Sequence, residues 1–429
     1  MSTERLPDTP AGRQAAWFIH QSTVGASDLK VDEIAQHMRL QEPWTPEEGI
    51  DRFVADGPMR VISAEEVSSY ELAVRLVYER EPAKPWLATI RVAKQTPHVI
   101  TRLQLFRDVG EGVVIREARE ADAPVLAGLE RRSPLTVGAA SITYDRGEDF
   151  FAFARLMEET TNLVAEEEGR IVALHCVALH PAEIGGKEYQ AMLLHHTRIP
   201  PEHQKKGLFS PLNMRGFQTY EGRMEAAYAY VAVENTDANR LGGPDSWSFP
   251  ALRALLLCER LGGIPAGRPA GPDDAPRIVE ILNSCHKGEE MYLPYTVQSL
   301  TARLARAPEL YSWEQVWMTD RAVVGVWPAG LSVVREENGL RASTVRATVL
   351  DHGFVAGAED EFERLLRAWC GWLFEHGSTE LAVFTSEGSP NDAVLSRLAD
   401  RIDAFDFRMG APEPAGAAQR GLYVDPIYF

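Results

Sequence analysis

Hydrophobic and polar positions alternate along four stretches of the first hundred residues, at Met59–Ser63, Glu71–Val77, Trp86–Val92 and His98–Leu103. Alternation with period two is typical of strands that bury one face. Two helical patterns precede them, one after Pro10 and one over Val31–Met38. Helices followed by antiparallel strands predict a small, cone-like α+β domain over residues 1–109.

A second arrangement begins after Gly110–Gly112, where apolar runs alternate with amphipathic segments. The pattern predicts a strand, two helices, a hairpin, a further strand, a helix and a strand. These segments are Val113–Arg116, Glu120–Glu130, Asp149–Glu159, Asn162–Val177, Tyr189–Ile199, the stretch after Gly207, and Tyr228–Val233. Such an order is typical of an α/β domain with a mixed sheet.

The second arrangement recurs at a spacing of about 152 residues. The segment Arg116–Pro124 returns as Arg268–Pro276, and Asn239 returns as Asn391. A Gly/Pro-rich linker at Leu261–Pro265 separates the copies. The sequence therefore predicts an accessory domain (1–109) and two related α/β (α+β) domains (110–262 and 263–429).

Amino-acid composition and net charge indicate which partners and which location suit this protein. The chain has 429 residues, 44 Lys+Arg against 62 Asp+Glu, and a net charge of −18. This acidity argues against a nucleic-acid partner and is compatible with a cationic substrate. The four cysteines form no CxxC pair, so no metal site is predicted. No signal core or membrane-spanning run is present, which predicts a cytoplasmic protein without a membrane partner.

One segment carries recognisable chemistry. After the strand that ends at Ile199, two prolines lead the chain out of the sheet, and a loop precedes a predicted helix. The loop residues are Gln204, Lys205, Lys206, Gly207, Leu208, Phe209 and Ser210. Backbone N–H groups at a helix start, a glycine and two lysines are suited to a pyrophosphate.

This loop resembles the acetyl-CoA signature of the GCN5-related N-acetyltransferase (GNAT) superfamily, Gln/Arg-x-x-Gly-x-Gly/Ala. Phe209 stands where that signature has Gly or Ala. The resemblance implies two GNAT-like domains and acetyl-CoA, or another acyl-CoA, as co-substrate without a metal. It also implies that Thr197, Arg198 and Ile199 on the splayed strand, and Asn235 after the next strand, hold the pantetheine arm.

The second copy lacks this loop. Its counterpart, Val349–Asp360, has no Gln/Arg start and no lysine, and it carries Asp351, Glu359 and Asp360. These acids would repel a pyrophosphate. We therefore expect the second copy to shape the acceptor cleft or a dimer, and a homo-oligomer stays open.

The tandem arrangement is also distantly similar to that of enhanced-intracellular-survival (Eis) acetyltransferases. That family has its accessory domain at the C-terminus and a catalytic tyrosine after the pantetheine segment, where this chain has none. Eis-type enzymes use their terminal carboxylate near the active site. The apolar end Gly421–Phe429 is compatible with an inserted terminus or with a closing strand.

Amide formation from a thioester needs a base for the amine and an acid for the leaving thiolate. His195, His196, Tyr230 and Glu234 are the catalytic candidates, since they lie on or end the strands beside the cofactor. The predicted function is an acyl-CoA-dependent N-acyltransferase that acts on a primary amine of a small cationic molecule. Two alternatives stay open: acyl or aminoacyl transfer from another carrier, and a non-catalytic acyl-CoA-binding regulator.

Overall fold

A computed structural model describes most of the chain. The described residues are 6–24, 36–38, 57–82, 85–108, 112–137, 139–204, 206–233, 235, 247–410 and 421–428. They divide into two compact units. The first comprises Met1–Ile115, Glu167–Gly169 and His203–Met214, and the second comprises Arg116–Glu166, Arg170–Glu202 and Arg215–Phe429.

The first unit contains a helix packed on a four-stranded antiparallel sheet. The elements are α1 (Pro10–Val24), β1 (Met59–Ser68), β2 (Glu71–Tyr78), β3 (Pro85–Val92) and β4 (Ile100–Arg107), in the sheet order β1-β2-β3-β4. Phe18 of α1 is buried among Leu72, Val74 and Ile90 of the sheet. The predicted α+β meander is confirmed. Of the predicted helix over Val31–Met38, only the last three residues are described.

The first α/β copy begins at Val113 and contains the predicted strands and helices, but its second helix is shorter than predicted and two further strands lie between the two helices. Its elements are β5 (Val113–Glu117), α2 (Ala123–Arg131), β6 (Leu135–Val137), β7 (Ala140–Asp145), α3 (Ala152–Leu156), β8 (Glu159–Glu167), β9 (Arg170–Ile184), β10 (Lys187–Arg198), α4 (Phe209–Thr219), β11 (Ala226–Ala232) and β12 (Trp247–Leu257).

The second copy repeats most of this order, but it has no strands between the helices that correspond to α2 and α3. Its elements are α5 (Cys258–Leu261), β13 (Arg268–Pro269), α6 (Ala275–Cys285), α7 (Val297–Ala305), β14 (Val316–Met318), β15 (Ala322–Glu337), β16 (Leu340–Phe354), α8 (Glu359–Glu375), β17 (Glu380–Ser386), α9 (Asp392–Leu398) and β18 (Arg401–Gly410). The fold class of two tandem mixed-sheet domains after a small α+β domain is confirmed. The exact boundaries at 109 and 262 stay predictions.

An ion pair at the start of each copy shows the repeat at the level of side chains. Arg116 binds Asp122 with a 2.7 Å N–O contact, and Arg268 binds Asp274 with a 2.7 Å contact. In both copies the aspartate also accepts a hydrogen bond from a backbone N–H three residues earlier. The carboxylate therefore fixes the turn that leads into α2 or α6.

The two copies share one continuous sheet because their last strands are exchanged. The order is β13-β14-β15-β16-β17-β12-β18-β11-β10-β9-β8-β5. Strand β12 of the first copy pairs with β17, and β18 of the second copy pairs with β11. The largest buried hydrophobic cluster contains residues from both copies, Tyr228 and Leu255 as well as Leu350 and Phe407. The copies therefore form a single packed body.

The four cysteines, Cys176, Cys258, Cys285 and Cys370, are buried free thiols, as expected. Burial raises the pKa of Cys176 and of Cys285 to about 12. Thiolates of this kind are too weakly populated at neutral pH to serve as nucleophiles.

Helix α4 packs closely on β9 at Gly216. A Cβ atom built on Gly216 would lie 2.7 Å from Val177 Cγ1. Real Cβ atoms do not approach a methyl group so closely, so the absence of a side chain sets the spacing between helix and sheet. Gly128 in α2 has no such contact, because its nearest neighbour is 3.5 Å away on the flexible side chain of Arg132.

We expect Gly216→Ala to lower the free energy of unfolding by about 1–3 kcal/mol, since α4 must shift away from β9. Gly128→Ala is the matched control and should be neutral or stabilising by up to about 1 kcal/mol through helix propensity. Urea unfolding of both variants measures the difference. Equal effects of the two substitutions would contradict the close packing at Gly216.

Candidate active site

Strands β10 and β11 pair for only three residues and then separate. Their parallel register joins Ala191–Leu193 to Ala226–Tyr228. Beyond it, β11 pairs on its other side with β18 up to Ala232, and β10 continues to Arg198. Strands β16 and β17 of the second copy have the same three-residue parallel register, Arg346–Thr348 with Glu380–Ala382. Each copy therefore contains a split between two parallel strands.

A one-residue bulge follows the parallel pairing in each copy. On β10, His195 lies opposite Cys176 and Arg198 lies opposite Leu174, so three residues of β10 span two of β9. On β16, Val349 and Asp351 lie opposite Val326 and Gly325, which leaves Leu350 as the extra residue. A bulge bends its strand and turns backbone groups out of the ladder. His196 in the first bulge has φ of +53°.

Both ring nitrogens of His196 contact charged groups of the protein. Arg146 donates to Nδ1 over 3.0 Å, and Nε2 lies 2.9 Å from Oε1 of Glu130. The Glu130 carboxylate is fully buried and is also approached by Arg146 and, at 3.7 Å, by Arg198. Burial opposes ionisation of Glu130, but Arg146, His196 and Arg198 outweigh it and lower the pKa to about 2.

His196 is neutral in this setting. Burial is the main cause and the charge of Arg146 adds to it, so that the pKa of His196 falls to about 3. The neighbouring His195 is also uncharged, because burial lowers its pKa well below the usual value. Nε2 of His195 has no hydrogen-bond partner within the part of the chain that the structure describes.

The other predicted residues of β10 and β11 lie around the split. Thr197 Oγ1 is 2.8 Å from His175 Nδ1, and the Tyr228 hydroxyl is 2.5 Å from His180 Nε2. Burial, with a smaller contribution from Asp425, raises the pKa of Tyr230 well above its usual range. Tyr230 is thus a protonated phenol at neutral pH, and it holds its proton more tightly than an exposed tyrosine does.

Two further predictions concern the end of β11. Asn235 is half-buried, and its N–H donates to the carbonyl of Ala232 over 2.8 Å in a turn that ends the strand. Glu234 lies outside the described residues, as does Asn239.

The predicted phosphate loop is partly described. A short 3-10 turn, Pro201–His203, precedes it, and α4 begins at Phe209 with Ser210 and Pro211 in its first turn. Gly207 has φ of +84°, a conformation that favours glycine. Gln204 is exposed, Leu208 is buried, and Ile199 before the turn is half-buried. Lys205 lies outside the described residues.

The charge of Lys206 is partly balanced. Its Nζ lies 3.9 Å from Glu167 Oε2 and 3.2 Å from His203 Nδ1. The lysine therefore stands in a local pair with Glu167. Its side chain is half-exposed, so an anion can still reach it.

The second copy differs at the corresponding loop. Val349–Phe354, assigned from the sequence to the counterpart of the loop, belongs to strand β16, so that assignment was wrong for these residues. Only Val355–Ala358 connect β16 to α8. The first turn of α8 carries Glu359, Asp360 and Glu361, which occupy the positive end of the helix dipole.

The segment Gly421–Tyr428 packs beside the split of the second copy. Leu422 N–H donates to Ser386 Oγ of β17 over 2.8 Å, and Leu422 forms a parallel bridge with Glu290. Asp425 accepts two hydrogen bonds from Arg303, at 2.9 and 3.0 Å, and Arg303 also binds Asp351 of β16. The segment Gly421–Tyr428 is therefore inserted, as one of the two expectations proposed. Phe429 lies outside the described residues.

Sequence reasoning missed a buried polar cluster next to the first bulge. Tyr144 on β7 receives a hydrogen bond from Arg253 and lies close to Arg198 and Arg346. Arg253 pairs with Asp403 at 2.7 Å, and Arg346 pairs with Glu380 at 2.7 Å. These residues are far apart in the sequence and none stands in a motif, so no local signal could have revealed them.

Arg198 has a different position from the one expected of a cofactor-binding residue. Its guanidinium is buried, and its NH1 group donates to the carbonyl of Thr197 over 2.9 Å. The arginine thus binds the backbone of the bulge itself.

Comparison with known proteins gives structural matches. No family model matches the sequence, and no curated protein is similar to it in sequence. The structure of Saccharomyces cerevisiae N-myristoyltransferase with bound myristoyl-CoA matches with a TM-score of 0.51 at 10% identity, over 71% of this chain and 84% of that one. A second structure of that enzyme, also with bound myristoyl-CoA, matches with a TM-score of 0.51 at 11% identity, over 74% and 82% of the two chains.

The chain has a GNAT-type fold. A GCN5-related N-acetyltransferase from Sphaerobacter thermophilus is also similar, with a TM-score of 0.42 at 13% identity, over 71% of this chain and 98% of that chain. At these identities the likeness concerns the fold. The finer resemblance to Eis-type enzymes stays a prediction.

The described ranges contain neither a membrane-spanning helix nor a cluster of metal ligands. No helix within the described ranges is long and apolar enough to cross a membrane. In the same ranges, His, Cys, Asp and Glu side chains form no group of three that could hold a metal ion.

We expect Leu422→Ala to lower the free energy of unfolding by about 2–5 kcal/mol, because Leu422 is fully buried beside the split of the second copy. Leu340→Ala is the control: that leucine is 77% exposed, so its change should stay within about 0.5 kcal/mol. Denaturant unfolding compares the two. A Leu422→Ala variant as stable as the control would contradict insertion of the terminal segment.

We expect one tyrosine to ionise near pH 8. Burial opposes ionisation of Tyr144, but the charges of Arg253, Arg346 and Arg198 outweigh it and lower the pKa to about 8. Absorbance at 295 nm should show one phenolate with this midpoint, absent in Tyr144→Phe and retained in Tyr230→Phe.

The lowered pKa of Tyr144 also determines whether the free energy of unfolding rises or falls with pH. Because the folded-state pKa of Tyr144 is depressed, wild type gains stability relative to Tyr144→Phe as the pH rises from about 8 to about 10. Unfolding titrations over this range measure the gain, and a difference independent of pH would contradict the assignment.

Proposed function

We propose that the chain is an acyl-CoA-dependent N-acyltransferase whose chemistry takes place at the split between β10 and β11. The observation that supports it most is the three-residue parallel pairing followed at once by the bulge. An extended ligand with amide groups can pair with the separated edge of β10 as an added strand. The pantetheine arm of CoA is a ligand of this kind.

The loop before α4 is the proposed site for the pyrophosphate. Gly207 has a left-handed conformation, and the first turn of α4 has no acidic residue. Its backbone N–H groups and the helix dipole favour a bound anion. Gln204 and Lys206 add exposed polar groups. Lys205, Leu208, Phe209, Ser210 and Asn235 are also proposed to contact the cofactor.

The proposed reaction is transfer of the acyl group from sulfur to nitrogen. The amine nitrogen attacks the thioester carbonyl, the C–S bond breaks, and the products are an amide and the CoA thiol. The proton that the amine loses passes to a base, and the thiolate takes up a proton. Neutral His195 is the proposed acceptor and protonated Tyr230 the proposed donor, while backbone N–H groups at the bulge bind the oxyanion.

Net charge indicates a class of acceptor, and the sequence motif and the structural matches each indicate a different acyl group. The acidic chain, with a net charge of −18, favours a small cationic amine as acceptor. The sequence motif favours acetyl-CoA. The similar N-myristoyltransferase structures hold myristoyl-CoA, which makes a long-chain acyl group the second candidate.

We expect wild type to bind acetyl-CoA or myristoyl-CoA in calorimetry and to release CoA thiol when a polyamine or amino sugar is added. Gly207→Val should reduce binding at least tenfold, because a branched residue at φ of +84° distorts the loop. Gly222→Val is the matched control, since Gly222 has φ of +79° with open space around it.

Each failure has a distinct meaning. Binding without thiol release would favour the regulator over the enzyme. Absence of binding by wild type would contradict both, and equal binding by Gly207→Val and wild type would contradict the loop assignment.

A further inference from the structure

The bulge of β10 has a backbone conformation that needs support. His196 is a non-glycine residue at φ of +53° inside a strand. Such a conformation costs on the order of 1–3 kcal/mol and persists only where the surroundings enforce it. The groups that contact His196 and its neighbours therefore determine where the backbone of the bulge points.

The side chain of His196 is held in one tautomer. A guanidinium can only donate, so Nδ1 accepts from Arg146 at 3.0 Å and the ring proton lies on Nε2. The protonated Nε2 lies 2.9 Å from Glu130 Oε1, an ion-dipole contact without the alignment of a hydrogen bond. Phe150 packs edge-on against the ring, with centroids 5.9 Å apart. The hydrogen bond at Nδ1, the close carboxylate at Nε2 and the ring of Phe150 together restrict the orientation of the imidazole.

The Glu130 carboxylate also lies near Arg198, which follows Thr197 at the end of the bulge. Arg198 lies 3.7 Å from Glu130 Oε1 and donates to the carbonyl of Thr197 over 2.9 Å. The Thr197 side chain is held in addition by His175. Glu130, from helix α2, thus fixes the ring of His196 directly and the following peptide through Arg198.

The second copy provides an internal comparison. Counted from the equivalent pair Asp122 and Asp274, the position of Glu130 is taken by Leu282, a buried apolar residue of α6. The bulge at Leu350 contains no residue with positive φ, and the terminal segment of the chain packs beside its split. The carboxylate and the strained histidine therefore occur together in the copy that carries the loop.

We propose that Glu130 is a positioning residue of the acyl-transfer site, which holds the bulge of β10 through His196, Arg146 and Arg198 so that its backbone N–H groups face the thioester oxygen. The proposal rests on the proposed function. It assigns His196 to support of the backbone and leaves proton transfer to other groups. Glu130 itself touches neither substrate nor the reacting atoms.

The kinetic test compares Glu130→Gln with Glu120→Gln, an exposed glutamate just before the same helix. We expect Glu130→Gln to lower kcat by about 10- to 100-fold, since misplacing an oxyanion donor by about 1 Å costs on this order. The Kd for acyl-CoA should change less than threefold, and Glu120→Gln should match wild type. Unchanged kcat, or equal losses in kcat and acyl-CoA affinity, would overturn the proposal.

A second readout does not depend on activity. In wild type labelled with 15N-histidine, the resonances of His196, assigned by comparison with His196→Asn, should show a protonated Nε2 and an unprotonated Nδ1 without titration from pH 5 to 9. Glu130→Gln should shift these resonances, and Glu120→Gln should not. A titrating His196, or one protonated on Nδ1, would overturn the clamp even in an active enzyme.

The kinetic and NMR measurements distinguish failure of the proposed function from failure of the positioning role of Glu130. If wild type releases no thiol from any amine, the proposed function fails and with it the catalytic role of Glu130. The NMR result still decides whether Glu130 holds the bulge. If wild type is active and Glu130→Gln is fully active with a correctly folded core, the positioning role alone fails.

Discussion

The separation of two parallel strands after three paired residues is the constraint on which the rest of the structure depends. Backbone donors and acceptors inside a protein must find partners, so a split within a sheet has to be occupied. In the second copy the segment Gly421–Tyr428 packs beside the split, where Leu422 binds the Ser386 side chain and Asp425 reaches β16 through Arg303. In the first copy the proposed occupant is the pantetheine arm of the cofactor.

The exchange of the last strands places both splits in one sheet. Because β12 crosses to β17 and β18 crosses to β11, neither copy can complete its sheet without the other. The buried cluster around Tyr144 depends on this exchange, since Arg253 lies on β12 and its partner Asp403 on β18. The second copy therefore contributes side chains to the surroundings of the first bulge.

Much of the fold could be predicted from local patterns, and the polar clusters could not. Alternation along β1 to β4 and the recurrence of Arg116–Asp122 as Arg268–Asp274 are local signals, and the structure contains both. Glu130 contacts His196 and Arg146 from distant parts of the chain, and one buried glutamate in an amphipathic helix resembles any exposed one in sequence. The strand exchange leaves no signal in the sequence either, because the residues of a strand do not specify which neighbour it pairs with.

The helices that follow the two splits show how binding and stability compete at one position. Helix α8 carries three acids in its first turn, and each stabilises the positive end of the helix by about 0.3–1 kcal/mol. Helix α4 has none there and begins after Gly207 in a left-handed conformation. A bound anion and a row of carboxylates cannot occupy the same helix start. The first copy lacks the stabilisation that these acids give the second, and its helix start is free of carboxylates that would oppose the proposed phosphate.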